Sequence, residues 1–178
     1  MPAQQQALNV SGNRMDILRI LKKKGDEQKI LQANATLYPD KILIDTTDRV
    51  KEGFGIASLN FSILPTDIDN EILGQNIRHH LSLTKTGLPI PTDYKQAYND
   101  FLNKAGFKNG KEHHKDALHL IIFQKGNQIT ISPTQNGGYT GKDRGFLGMK
   151  DVDSINVSHN VDDFALGVSI RDGWRKCK

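Results

Sequence analysis

The sequence contains the same strand-then-helix pattern twice. Residues 58–62 (SLNFS) and 154–158 (SINVS) alternate polar and apolar side chains, which is the period of a half-buried strand. After a short spacer, apolar residues recur every three to four positions in 69–78 and again in 162–171, which predicts a helix. The two spacers differ by three residues, which excludes a regular solenoid repeat. We therefore expect two similar strand–helix units within one fold.

Each predicted helix carries an aspartate five residues before a glycine. Asp69 and Asp162 stand where a short acidic side chain accepts hydrogen bonds from the free amides of the first helical turn. Gly74 and Gly167 lie inside the helices, where glycine costs about 1 kcal/mol relative to alanine. Such a cost is tolerated where another backbone comes close. We therefore expect both helices to press tightly on a sheet.

The length and composition favour one domain. The chain has 178 residues, of which 37% are hydrophobic, and typical domains have about 100–150 residues. The polar segment 1–12 is predicted to be a disordered leader, and 13–178 to be a single domain in which 13–35 is undecided between helix and strand. No apolar run approaches the roughly 20 residues of a membrane span, and the N-terminal residues lack the pattern of a signal peptide. A cytoplasmic location is expected.

Further elements are predicted from local patterns. Residues 41–45 and 56–64 have the composition of strands in a meander, and the runs 118–124 and 128–134 flank a Lys-Gly-Asn turn that indicates a hairpin. The prolines at 89 and 91 precede a helical stripe with Thr92 as its N-cap and Gly106 as its stop. The predicted fold is α+β, with a mainly antiparallel sheet and about three helices.

The histidines and the single cysteine do not form a recognisable catalytic pattern. His113 and His114 are adjacent and therefore point in different directions. Together with His119 they do not match the residue spacing of a known metal-binding motif. A general base at His79 or His80 is possible, but on an amphipathic helix one of such a pair commonly faces solvent without a function. Cys177 is expected at a mobile terminus, away from any base.

The glycine-rich segment 136–148 is predicted to be an exposed loop. It resembles a phosphate-binding loop, but Asn136 stands where that motif needs glycine and Asp143 where it needs serine or threonine. No enzyme, cofactor or metal site is predicted. The loop does combine aromatic and charged residues of the kind that concentrate at protein interfaces, and these form the predicted partner-binding set: Tyr139, Lys142, Asp143, Arg144 and Phe146.

The order of several short motifs resembles that of the contact-dependent growth inhibition (CDI) immunity proteins of Gram-negative bacteria. These motifs are SLNFS before EILG, the segment IPTDY at 90–94, ISPT at 131–134 and the second Leu-Gly pair at 166–167, and the resemblance spans about 54–177. It implies an α+β protein of the cytoplasm that binds the C-terminal toxin domain of a cognate adhesin, often a nuclease, and blocks it stoichiometrically. It implies no fixed contact residues, because such surfaces differ between toxins.

Two further expectations concern charge. The net charge of +4 is mild, which favours a mixed solvated surface, and acidic side chains that could meet a basic toxin are Asp67, Asp69, Glu71, Asp143 and Asp151. The alternative function is a small basic nucleic-acid-binding module. In that hypothesis phosphates are contacted by Lys22, Lys23, Lys24, Lys142, Arg144, Arg171, Arg175 and Lys176.

Overall fold

The computed structural model describes residues 29–178. The elements in chain order are β1 (Ile30–Leu37), β2 (Ile42–Arg49), β3 (Gly55–Leu64), α1 (Asn70–Ser82), α2 (Tyr94–Lys104), α3 (Gly110–His114), β4 (Leu118–Lys125), β5 (Gln128–Asn136), β6 (Phe146–Gly148), β7 (Ile155–Ser158) and α4 (Asp163–Trp174). Within this range no helix is long and apolar enough to cross a membrane. The predicted leader 1–12 lies outside the described residues.

The seven strands form one antiparallel sheet of order β3-β2-β1-β4-β5-β6, and β7 pairs with the same strand, β5, as β6 does. The predicted meander and the hairpin of β4 and β5 are both present. The prediction of an α+β fold with a mainly antiparallel sheet is confirmed. The chain reads as β1-β2-β3-α1 on one half and β4-β5-β7-α4 on the other, joined at the centre by the β1–β4 pairing.

Helices α1 and α4 cover the first face of the sheet. Both helices present apolar residues four apart to the buried core of this face: Leu73, Ile77, Leu81, Leu166, Ile170 and Trp174. Both helices begin as predicted, because Asp69 accepts a hydrogen bond from the Glu71 amide and Asp162 accepts one from the Ala165 amide, each at 2.7 Å. The repeated helix motif is therefore repeated in structure.

The two helix glycines contact the other helix, and not the sheet as predicted. A Cβ added to Gly74 would overlap the carbonyl oxygen of Asp163 in α4 and stand 2.9 Å from its Cα. A Cβ added to Gly167 would overlap the carbonyl oxygen of Asn70 in α1 and stand 2.9 Å from that Cα. Each glycine thus admits the N-terminus of the opposite helix, and the two contacts are related as if by a two-fold axis.

Two arginines complete this pseudo-symmetric contact. Nε of Arg78 donates to Oδ1 of Asp163 at 2.6 Å, and Nε of Arg171 donates to Oδ1 of Asn70 at 2.7 Å. Their remaining nitrogens donate to carbonyls of the segment before the opposite helix, which are those of His159 and Val161 for the first arginine and of Thr66 and Ile68 for the second. Each arginine therefore fixes the entry of the chain into the other helix.

The strands of the two repeats do not match in the same way. In β3, Ser62 faces the helices, with Oγ 2.9 Å from Nε2 of His80, while Phe61 packs on the other face. In β7, Ile155 and Val157 pack against the helix-side core. Equivalent positions of the two motifs, such as Phe61 and Val157, therefore face opposite sides of the sheet, as after a shift of one residue along a strand.

The second face of the sheet is covered in part by α2 and α3. Buried aromatic residues join these helices to the sheet, including Phe101 and Phe107 against Tyr38 and Leu43. The N-cap of α2 is Asp93, whose Oδ1 accepts from the Gln96 amide, so the prediction of Thr92 was wrong by one residue. Gly106 follows the helix at φ 80°, as a helix stop requires.

Three elements were not predicted. Strand β1 falls in the segment that the sequence left undecided, and α3 has only five residues. The third is β6, because 136–148 is not wholly a loop: its first residue ends β5, and 146–148 pair with 134–136. Cys177 is also not at a loose terminus, since its thiol is partly buried and Lys178 is bonded to both Thr134 and Asn136 through the backbone.

Candidate functional site

A polar cavity of about 340 Å³ opens on the second face of the sheet. Its walls come from β1, β2, the start of β3, α2, α3 and β4. It is lined by Gln32, Asn34, Asp45, Thr47, Gly55, Ile56, Ala57, Tyr98, Phe101, His113 and His119. Volumes of about 300–1,000 Å³ are typical of ligand pockets.

Strand alternation places a carboxyl, an amide and a hydroxyl together in this cavity. Asn34 and Asp45 are directly opposite in the β1–β2 pairing, and Thr47 lies two residues further along β2 on the same face. Nδ2 of Asn34 donates to Oδ2 of Asp45 at 2.7 Å and contacts Oγ1 of Thr47 at 2.9 Å. Asp45 is only 6% exposed.

Asp45 forms no ion pair among residues 29–178, since neither of the two ion pairs found there includes it. Burial raises the pKa of its carboxyl from 3.8 to about 7, and the hydrogen bond from Asn34 only partly opposes this rise. The carboxyl therefore exchanges its proton near neutral pH.

Two buried histidines form the opposite part of the lining. Nδ1 of His119 lies 2.9 Å from Oγ1 of Thr36, and Nδ1 of His113 lies 3.1 Å from the hydroxyl of Tyr98. Burial, with a smaller effect of neighbouring histidines, lowers the pKa of His119 to about 3 and that of His113 to about 4. Both imidazoles are thus neutral at pH 7. In the described part of the chain no three His, Cys, Asp or Glu side chains converge to hold a metal ion.

The loop predicted to bind a partner adjoins this cavity. Phe146 stacks on His119 with ring centroids 4.1 Å apart and an interplanar angle of 11°, and it lies 4.4 Å from His114. Phe146 is therefore half-buried and packs within the fold, unlike the exposed loop residue that the sequence suggested. The other four residues of the set, Tyr139, Lys142, Asp143 and Arg144, are exposed.

This loop is held in one shape by its own backbone. The Gly137 amide donates to the Gly145 carbonyl at 2.9 Å, and the Gly145 amide donates to the Gly138 carbonyl at 2.8 Å. Nδ2 of Asn136 donates to the His114 and Ala117 carbonyls at 2.7 and 3.0 Å. These backbone hydrogen bonds thus close the base of the loop.

Sequence reasoning found parts of this region but not their connection. The histidines at 113–119 and the loop 139–146 were assessed separately, whereas Phe146 and Tyr139 pack against His119 and His114. Asp45 was named only as the end of a strand. The available signal was in β1, where Gln32, Asn34 and Thr36 alternate with apolar residues, because such a pattern indicates a polar face of the strand.

Some basic residues of the nucleic-acid hypothesis have partners within the described part of the chain. Arg171 is engaged between the two helices, Arg175 pairs with Asp172, and Nζ of Lys176 reaches the Asp153 carbonyl at 3.4 Å. Lys22, Lys23 and Lys24 lie outside the described residues. Within 29–178 the exposed members of the set are Lys142, Arg144, Arg175 and Lys176, fewer than the roughly six to ten phosphate contacts that give strong, salt-dependent binding to nucleic acid.

Solved structures share this fold. A protein of unknown function from Neisseria meningitidis superposes with a TM-score of 0.72 and 18% identity, over 86% of this chain and 98% of the other. A chain of the CdiA-CT/CdiI toxin and immunity complex from Yersinia pseudotuberculosis superposes with a TM-score of 0.70 and 20% identity, over 84% of this chain and 98% of the other. No curated protein gives a significant match.

The family follows from the sequence itself. The model of the CdiI family, described as CDI immunity protein, matches residues 31–177. The chain belongs to the CDI immunity protein family. The resemblance seen in its short motifs is thereby confirmed.

Proposed function

We propose that this protein binds the C-terminal toxin domain of a cognate CDI adhesin and neutralises it as a stoichiometric inhibitor without catalytic activity. The observation that carries the proposal is the family match over residues 31–177. The toxin is proposed to be a nuclease whose active site or substrate access is blocked. Because an inhibitor must meet the delivered toxin where it acts, we place the protein in the cytoplasm.

The proposed contact surface is the loop 139–146 beside the mouth of the cavity. Tyr139 is 48% exposed, and its ring lies over Gly110, where an added Cβ would collide with it. An aromatic side chain on a fixed loop loses little conformational entropy on binding, which makes it a good anchor. Lys142, Asp143 and Arg144 follow it in the loop, are exposed, and carry charges that can steer the encounter with the toxin. The ring of Phe146 stacks on that of His119, which anchors the end of the loop to the sheet.

The first test is co-expression with the toxin domain encoded immediately upstream of this gene. We expect the two proteins to co-purify at one to one and cells to survive toxin production. If the toxin is a nuclease, its cleavage of nucleic acid in vitro should stop at one equivalent of this protein. Cell death with no complex would overturn the proposed function, and a protective effect at far less than one equivalent would overturn stoichiometric inhibition.

The contact surface is tested by substitution with a matched control. Tyr139→Ala and Arg144→Glu should each weaken toxin binding by about 30-fold or more, the effect of a hot-spot residue. Tyr94→Ala is the control, because Tyr94 is 49% exposed but lies at the start of α2. Equal binding by all three variants would place the toxin on another surface.

A further inference from the structure

Asp45 lies in an environment that stabilises a cation, yet residues 29–178 supply none to it. Asp45 is only 6% exposed and lines the cavity. Oδ2 accepts from Asn34, and no side chain among the described residues donates to Oδ1. A buried carboxylate without a positive partner is costly, and proteins keep such groups where a ligand compensates them.

The other groups of the cavity also suit a cation. Asn34 uses Nδ2 as the donor to Asp45, which leaves its carbonyl oxygen as an acceptor. The hydroxyls of Thr47 and Tyr98 and the neutral rings of His113 and His119 complete a polar lining without lysine or arginine. An anion would find no positive charge here, whereas a cation would meet one carboxylate and several neutral acceptors.

Arg49 is a candidate for an internal partner on this face, but its guanidinium is already hydrogen-bonded elsewhere. Its guanidinium donates to Oε1 of Gln32 at 3.1 Å and to the Gly53 carbonyl. Arg49 lies four residues along β2 from Asp45, which is about 13 Å at the rise of a strand. It therefore does not neutralise the carboxyl.

We propose that this cavity receives a lysine or arginine side chain of the toxin, whose ammonium or guanidinium group pairs with Asp45. The proposal rests on the proposed function and specifies one anchor of that interface. The loop 139–146 adjoins the cavity through Phe146, so one partner can contact both. A charge pair in such a buried site provides both affinity and specificity.

The pairing has a pH signature. The free protein holds a proton on Asp45 with a pKa of about 7, and the incoming cation requires the deprotonated carboxylate. Since affinity scales with the competent fraction, the dissociation constant should fall by roughly tenfold between pH 6 and pH 8 through this group alone.

The test compares the full chain with Asp45→Asn, which keeps the size and the hydrogen bond but removes the charge. We expect the variant to bind the toxin domain at least about 30-fold more weakly at pH 8 and to lose the pH dependence that the unmodified protein shows. Its thermal stability should be unchanged or higher at pH 8. The matched control is Asp48→Asn, because Asp48 is also buried on β2 but caps the Lys85 amide on the other side of the sheet. That variant should keep toxin binding and its pH dependence.

Several outcomes would overturn the proposal. Equal toxin affinity for Asp45→Asn and the unmodified protein would refute the charge pair and leave the proposed function intact. Failure of the unmodified protein to bind the toxin would instead refute the proposed function. A lower stability of Asp45→Asn at pH 8 would mean that a cation of this chain already pairs with Asp45. If n-butylammonium or ethylguanidinium stabilised the unmodified protein but not Asp45→Asn, while toxin binding was equal, the cavity would be a site for free small amines.

Discussion

Replacing the glycines of the helix pair tests the central packing of the fold. An alanine Cβ at position 74 would lie 2.7 Å from the carbonyl carbon and 2.9 Å from Cα of Asp163, and position 167 meets the same two atoms of Asn70 at 2.7 and 2.9 Å. Real Cβ atoms essentially never come within 3.0 Å of such atoms, and backbone cannot move aside as a side chain can. The helices must separate, which weakens the core beneath them.

The expected cost combines two opposing effects. Overpacking costs about 1–3 kcal/mol, and alanine regains about 1 kcal/mol of helix propensity relative to glycine. The arginine contacts also depend on the same close approach. We therefore expect Gly74→Ala and Gly167→Ala each to lower the free energy of unfolding by about 2 kcal/mol, or the melting temperature by about 4–8 °C. The double variant should lose less than the sum, because one separation relieves both clashes.

Urea unfolding of the two variants and of Gly173→Ala measures this effect. Gly173 lies in α4 as well, but its added Cβ would meet only methyl groups of Leu120 and Ile131, at 3.0 and 3.1 Å. These side chains can adjust, so Gly173→Ala should stay within about 1 kcal/mol of the unmodified protein. If Gly74→Ala were as stable as Gly173→Ala, the interpretation of the close helix contact would be refuted.

Three further predictions concern charge and pH. Asn70→Asp places a carboxylate against Nε of Arg171, as in the equivalent Arg78–Asp163 pair, and should add about 0.5–1 kcal/mol in urea unfolding at low salt. Burial raises the pKa of Asp45 to about 7, so the native state loses stability as the pH rises from about 4 through 7. Asp45→Asn should remove this loss, so its stability relative to the unmodified protein should increase from pH 5 to pH 8. The pKa of His119 is lowered to about 3, so stability is lost as the pH falls below about 6.5, and His119→Gln should flatten that decline.

Each of these predictions has a contradicting result. A gain from Asn70→Asp that persisted in 1 M salt would not be electrostatic. A constant stability difference between Asp45→Asn and the unmodified protein from pH 5 to 8 would show that the carboxyl titrates normally. An unchanged acid decline in His119→Gln would assign that decline to other groups.

Local sequence predicted the repeated helices because their determinants are local. Apolar spacing and the caps Asp69 and Asp162 act within one turn of the helix itself. The two glycines also signalled a close approach correctly, but the approaching backbone could not be identified from one segment alone. Their equal placement in both repeats was the available clue, since two equivalent gaps can admit each other's helix ends.

The cavity could not be predicted in the same way. The face to which Asp45 points depends on strand pairing with β1, an element that the sequence left undecided. The roles of His113 and His119 depend on where α3 and β6 bring Tyr98 and Phe146, which are distant in sequence. Spacing rules identify sites whose residues lie within one helix or strand, whereas the residues that line this cavity come from five or more such elements.

The division of the fold into two faces explains where a binding site can arise. On the first face, α1 and α4 contact each other through two equivalent sets of glycine and arginine contacts. The segments that break the repeat are α2 with α3, which join the halves, and the 137–145 loop with β6, which is inserted before β7. Both lie on the second face and enclose its polar strands. Because the glycine and arginine contacts between α1 and α4 lie on the first face, substitutions in the proposed contact surface on the second face leave the helix pair that maintains the fold intact.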